Sequence, residues 1–298
     1  MDGSYLAQQL LNGLILGSMY ALVAVGFSMI YGIINLINFA HGDIVMIGAF
    51  CTLGMLAGLG LPLWVVAPGV IAVGALSGLV IERFAFRPMR GAPQVTGFIA
   101  SLGVSIMIQN LGILTLSAQP RNFSFPDYMQ TMVPILGLQV RVIDLSIMLA
   151  APALVGVLLF IVYRTRMGTA MRATAENLDV ARLMGVNINR TIAVTFMLGS
   201  ALAGVSGLMW GGKFGQIDPL MGFLPGLKSF VAAVIGGVGS IPGAILGGYL
   251  LGMSEVLFVG LLPPVYSSYR DAFVFGTLIL ILLLLPNGIL GHTQEERA

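Results

Sequence analysis

The chain has 298 residues, of which 57% are hydrophobic and only 9% charged, with a mean hydropathy of +0.98. That leaves too little polar surface to coat a soluble globule of this size, and a formal charge of +2 is too small to select nucleic acid or an acidic partner. A polytopic membrane protein remains, and its forty glycines suit a tightly packed helical bundle rather than the alternating segments of a β-barrel.

The amino terminus, MDGSYLAQQL, lacks the basic region and small-residue cleavage site of a signal peptide, so the first apolar run is expected to be retained as a membrane helix. That run, Leu10 to Ile30, carries a GxxxG face at Gly13 and Gly17. Tyr31 to Asp43, YGIINLINFAHGD, then places Asn35, Asn38, His41 and Asp43 among apolar residues with no Lys or Arg. Interrupted backbone at membrane depth survives only where protein buries it or where it lines a wet cavity, so this segment is a candidate permeation element. Spans at Ile44 to Leu61 and Leu63 to Ile81 follow, with GxxxG pairs at Gly54 and Gly58 and at Gly74 and Gly78. Cys51 lies in an apolar run and is expected to be a small buried core residue.

Glu82 to Pro93 carries Arg83, Arg87 and Arg90, which mark it as cytoplasmic. Val95 to Leu116 spans again, with Ser101, Ser105 and Gln109 along one helical face; this stripe either bonds a neighbouring helix, the favoured reading, or faces the path. Ala118 to Ile143, with three prolines and two arginines, is expected outside. Leu145 to Tyr163 and Thr191 to Gly211 are the next spans, and between them Arg164 to Arg190 holds five arginines and two acids, a second cytoplasmic loop. Within it, Thr169 to Met184 has no Gly or Pro and stops at Gly185, which predicts one amphipathic helix of four turns carrying Arg172, Glu176, Asp179, Ala181 and Arg182. Such a helix either lies on the membrane surface or is a rigid peg for a cytoplasmic partner.

Gly212 to Ser229, with Lys213, Asp218 and Lys228, is expected outside by alternation. Phe230 to Gly260 is apolar but interrupted at Gly236 to Gly248, a turn between spans or an unwound midpoint of one; Gly236, Gly237, Gly239 and Ser240 are candidates for backbone contact with a solute. Glu255 is a carboxylate in an apolar run, a functional candidate unless it lies at the outer interface. A last span, Ala272 to Leu285, precedes Pro286 and a polar tail holding His292. About eight spans result, and their parity does not close with the amino terminus outside and the tail inside.

Catalytic and cofactor signals are thin. Gly207 to Phe214 has GxxxxGK spacing, but Phe214 replaces the Ser or Thr that would hold magnesium, and the run closes a membrane helix instead of opening one after a strand. GGVGSIPG has the wrong spacing for a dinucleotide fingerprint. His41 beside Asp43 supplies too few ligands for a metal site, and a structural hydrogen bond is the favoured role for His41. No cofactor, metal or catalytic residue is expected.

Three blocks in order, Asn12 to Asp43, Ala175 to Arg190 and Gly226 to Gly248, give the chain a resemblance over nearly its whole length to LivH-type permease subunits of branched-chain amino acid ABC importers. The resemblance implies an all-α transmembrane bundle, one permease domain over residues 1–298, in a bacterial inner membrane. It also implies a second related permease chain, two cytoplasmic ATPases and a periplasmic amino acid binding protein. The cytoplasmic loop 164–190 is similar in role to the EAA loop that seats a coupling helix on the ATPase: Asp179, Val180, Ala181, three residues and Gly185 match its core, while Thr195 departs from it. A permease for urea or short amides remains an alternative within this group. An ion-coupled secondary transporter is the alternative from another class, with intramembrane Glu255 and His41 as its support.

Overall fold

A helix that is apolar all round must be enclosed by other helices. That is the place of α1 (Gly3–Ile34), whose 32 residues reach well beyond the ~30 Å of a bilayer core. In the computed structural model, which describes residues 3–123, 125–135 and 137–291, α1 is the axis of the bundle. His292 lies outside the described residues.

After α1 come α2 (His41–Leu53), ending in a π-helical turn at Gly54–Gly58, and α3 (Leu63–Ile81), with another such turn at Glu82–Phe86. Next is α4 (Gln94–Leu116). The segment expected outside folds into β1 (Arg121–Asn122), α5 (Asp127–Gln130) and the β2 (Met132–Ile135) to β3 (Leu138–Arg141) hairpin. Then follow α6 (Val142–Arg164), α7 (Arg166–Glu176), α8 (Leu178–Leu183), α9 (Ile188–Phe214) and β4 (Gln216–Ile217), which pairs antiparallel with β1. The chain closes with α10 (Phe223–Gly236), α11 (Ile241–Leu261) and α12 (Arg270–Leu284).

Among the described residues eight helices are long and apolar enough to cross a membrane, as the sequence predicts. The parity problem has a physical answer in α10. Its 14 residues are too few for a full span, yet it is the first arm of a hairpin with α11, and counting it as a ninth, short traverse closes the parity. With the arginine loops inside, the start of α1 lies outside and the end of α12 inside. The turn between the arms is Gly237 to Ser240, with Gly237 and Gly239 at φ +109° and +86°, a conformation that non-glycine residues rarely adopt. The extent expected for the external segment at Gly212 to Ser229 was therefore too long: its ends belong to α9 and α10, and Lys228 is buried in a helix.

Backbone contact is the packing device. A Cβ at Gly48 of α2 would lie 2.1 Å from the Gly204 carbonyl oxygen of α9, and one at Gly207 would lie 1.9 Å from that of Val45. On the other side of α1, a Cβ at Gly252 of α11 would lie 2.3 Å from the Gly17 nitrogen. Gly74 and Gly78 press α3 on α9, and Gly13 and Gly17 press α1 on α11, whereas Gly54 and Gly58 face open space and make no such contact. The GxxxxGK run is a packing surface too: Gly211 and Gly212 receive the rings of Phe123 and Phe125. We expect Gly207→Val to cost about 3 kcal/mol, the upper end of overpacking penalties, read as a lower melting temperature in detergent. Gly103→Ala on α4, where nothing lies within 4 Å of the added carbon, should leave it unchanged or slightly raised.

Candidate translocation and coupling sites

The first candidate is the break between α1 and α2. Asn35 ends α1 with φ +52°, a left-handed conformation for which Asn is among the better-suited residues, and the chain then runs non-helically until His41 and Asp43 bond back to the Asn38 and Ala40 carbonyls. This takes the chain from Leu36, packed on Gly97 near the inner end of α4, to Asp43, which meets Gln109 farther out on the same helix. Asn38, His41 and Asp43 are all buried. Asp43 Oδ1 accepts from Gln109 Nε2 at 3.0 Å, and Gln109 also donates to Ser105 Oγ at 3.1 Å, so part of the polar stripe on α4 bonds a neighbouring helix. The remaining groups are orphans: both polar atoms of the Asn38 amide, both ring nitrogens of His41 and Asp43 Oδ2 have no hydrogen-bond partner. The His41 ring approaches the Val23 backbone in a contact that falls outside strict hydrogen-bond geometry. Leaving such groups dry costs about 1–3 kcal/mol each, and three neighbouring residues in this state form a place where water or a polar solute is favoured.

The glycine-rich candidates divide. Gly239 and Ser240 join Asn35, Tyr31 and Gly32 around an inner cavity of about 420 Å³, whose far wall is Arg172 and Ala175 of α7. Gly236 and Gly237 pack instead against Gly243 and Gly291. Ser240 caps α11 by accepting from Gly243 N, and its carbonyl accepts from Ser28 on α1. Asn35 is thus grouped with the α10–α11 turn, while Asn38, His41 and Asp43 form a separate, deeper cluster.

The cytoplasmic segment corrects the expectation of one helix from Thr169 to Met184. It breaks at Asn177, extended at φ −157° and ψ 112°, whose Oδ1 accepts from Asp179 N and Val180 N at 3.1 and 3.0 Å and so caps α8. An Asn side chain competes with helical backbone bonds in this way. Thr165 caps α7, and Gly168 lets that helix fold tightly against the end of α6. Arg172 donates to the Val162 carbonyl and lies over the Tyr163 ring, 5.4 Å from its centroid, so its head group ties α7 to α6. Ala181 is buried and anchors α8. Gly185, at φ +84°, closes α8 with bonds from Gly185 N to Arg182 O and from Val186 N to Ala181 O, a glycine stop that satisfies the last carbonyls. Glu176, Asp179 and Arg182 face outward, and with them Val180, Leu183 and Met184, the last two 86% and 80% exposed.

A third cluster lies in the outer half. Glu255 accepts from Lys228 Nζ at 2.8 Å and from Tyr20 Oη at 2.8 Å, and Arg270 Nε is 3.1 Å away; Lys228 also pairs with Asp271 at 2.7 Å. The sequence showed Glu255 but hid its partners, because Lys228 read as loop; its position two residues before the apolar run Phe230 to Val234 was the available signal.

The family described as branched-chain amino acid transport system / permease component matches residues 9–282. The high-affinity branched-chain amino acid transport system permease protein BraD of Pseudomonas aeruginosa is 42% identical, over 97% of both chains. The corresponding permease proteins LivH of Escherichia coli and Salmonella typhimurium are 40% and 39% identical, over 98% of both chains. No solved structure matches the chain significantly. By the extent of these matches the chain belongs to the branched-chain amino acid transport system permease family.

Proposed function

We propose that this chain is the permease subunit of an ATP-driven importer for leucine, isoleucine and valine, embedded as one domain in a bacterial inner membrane. ATP is hydrolysed by two cytoplasmic partner subunits, a second related permease completes the path, and a periplasmic protein delivers the amino acid. The observation that carries the coupling role is α8, a short capped helix that with its C-cap presents Val180, Leu183 and Met184 beside the acid Asp179 and the base Arg182 on the arginine-rich side. Exposed apolar side chains in a charged frame on a rigid support suit a protein groove better than water. The substrate path is assigned to the orphaned polar cluster of Asn38, His41 and Asp43, and from there to the inner cavity at Asn35, Gly239 and Ser240. An α-amino acid needs acceptors for its ammonium and donors for its carboxylate, and these side chains contain both.

Proteoliposomes holding the complete importer and its binding protein should take up leucine only with internal ATP; uptake driven by an ion gradient without ATPases would favour a secondary transporter instead. Leu183→Asp should weaken retention of the ATPases by about 30-fold, as loss of an interface anchor worth ~2 kcal/mol does, while membrane insertion is kept. Equal recovery of ATPases with the variant would remove α8 from the coupling role. The double change Asn38→Ala and His41→Ala should reduce uptake and alter the ranking of leucine against valine, and unchanged uptake and ranking would place the path elsewhere.

A further inference from the structure

The outer half of the bundle holds a cavity of about 480 Å³ between α1, α9, α10, α11 and α12, within the ~300–1,000 Å³ typical of small-molecule sites. Its polar wall is the network around Glu255, and its apolar lining includes Leu16, Leu224, Val256 and Trp210. Lys228 and Glu255 are each 3% exposed. A buried ion pair is a poor source of stability, since apolar residues of similar volume often serve as well, and ionisable groups at membrane depth mark solute paths by default. Nor is this a plain pair. Two cations, Lys228 and Arg270, and two anions, Glu255 and Asp271, balance to zero, and Lys213, the other cation lining the cavity, is matched by Asp144 at 2.6 Å.

From this cavity we infer a binding site for the zwitterionic head group of an apolar α-amino acid, a station on the outer side before the deeper Asn38, His41 and Asp43 cluster. The carboxylate lies toward Lys228 and Arg270, the ammonium toward Glu255, and the aliphatic side chain against Leu16, Leu224 and Val256. A zwitterion adds no net charge to a neutral network and exchanges one set of ion pairs for another. An amine or a carboxylate alone leaves one sign of the network uncompensated. Glu255 thereby acquires a role in specificity in addition to its contacts with Tyr20 and Lys228.

The inference rests on the proposed import of branched-chain amino acids, and the test separates the two. Binding of radiolabelled leucine is measured on the purified complete importer without binding protein, with isoamylamine, 4-methylpentanoate and phosphoethanolamine as competitors, beside ATP-driven uptake in proteoliposomes. Leucine should bind, and each single-charge analogue should compete at least about 10-fold more weakly, as expected for loss of a charge-assisted bond. Val256→Trp fills the cavity without touching a charge and should lower binding and uptake by at least about 10-fold. Lys228→Met with Glu255→Leu replaces the pair by apolar residues, so a chain that assembles with its ATPases but no longer binds leucine supports the site even if single variants misfold. Displacement by phosphoethanolamine and not by leucine would identify a lipid head-group site and overturn the inference, as would unchanged uptake by Val256→Trp or by the double variant. Absence of leucine uptake by the unaltered importer would instead overturn the functional reading on which the site depends.

Discussion

Close contact between helix backbones is the constraint on which this structure depends. In hydrocarbon, lipid tails compete with side chains on equal terms, so helices associate through van der Waals fit and polar bonds, and small residues bring the most atoms together. Here the small residues are placed where α1 meets α11 and where α9 meets α2 and α3. Because α1 is enclosed on several sides, the irregular segment that follows it is enclosed as well. Gly42, Gly222 and Gly226 bring the starts of α2 and α10 together at van der Waals distance, and this sheltered junction lets the irregular backbone of residues 36–40 exist at membrane depth.

Charge is distributed with equal economy. On the inner side Glu82 is buried and accepts from Arg90, which also donates to Asn189, so the first arginine loop pins the end of α3 to the start of α9 while it fixes orientation. On the outer side Asp144 joins Arg141 to Lys213, fastening the β2–β3 hairpin and α6 to the end of α9. Both networks hold helix ends. The Lys228 and Glu255 network differs because both partners of its central pair are buried between helices beside the outer cavity, which Lys213 of the fastening network also lines.

How far the sequence could be read depended on the range of the interactions involved. Spans such as α3, α4 and α6 were legible to within a few residues because hydropathy and arginine placement are local signals. The break at Asn177 was not, since helix propensity from Thr169 to Met184 is uniformly adequate and a single side-chain oxygen decides the matter by capping two backbone nitrogens. Nor could the spacing show that Arg172 turns back to α6, or that Ala181 faces inward while Leu183 and Met184 face out, because those outcomes depend on how α7 and α8 lie on the bundle. The grouping of Asn35 with Gly239 and Ser240, and its separation from Asn38, is likewise a long-range consequence of the α10–α11 hairpin packing on Gly32.

In the proposed importer, that hairpin also offers a route by which a push on α8 would reach the proposed path. Met171 and Ala181 plug α7 and α8 into the inner hydrophobic core with Ile33, Ile188 and Ile192, so α8 cannot move as a loose loop. Arg172 fixes α7 to the end of α6, and on its other side α7 is a wall of the cavity lined by Asn35, Gly239 and Ser240. A displacement of α8 that leaves the joint at Asn177 unbent must therefore either change the shape of that cavity or break the Arg172 tie. Rocking follows from ATP only if the ATPases hold α8 differently in their two nucleotide states, because a partner bound equally to both conformations shifts neither. Under the proposed coupling, the fastening of α7 by Arg172 and the anchoring of α8 by Ala181 would carry that difference in grip across the joint at Asn177 to the inner cavity.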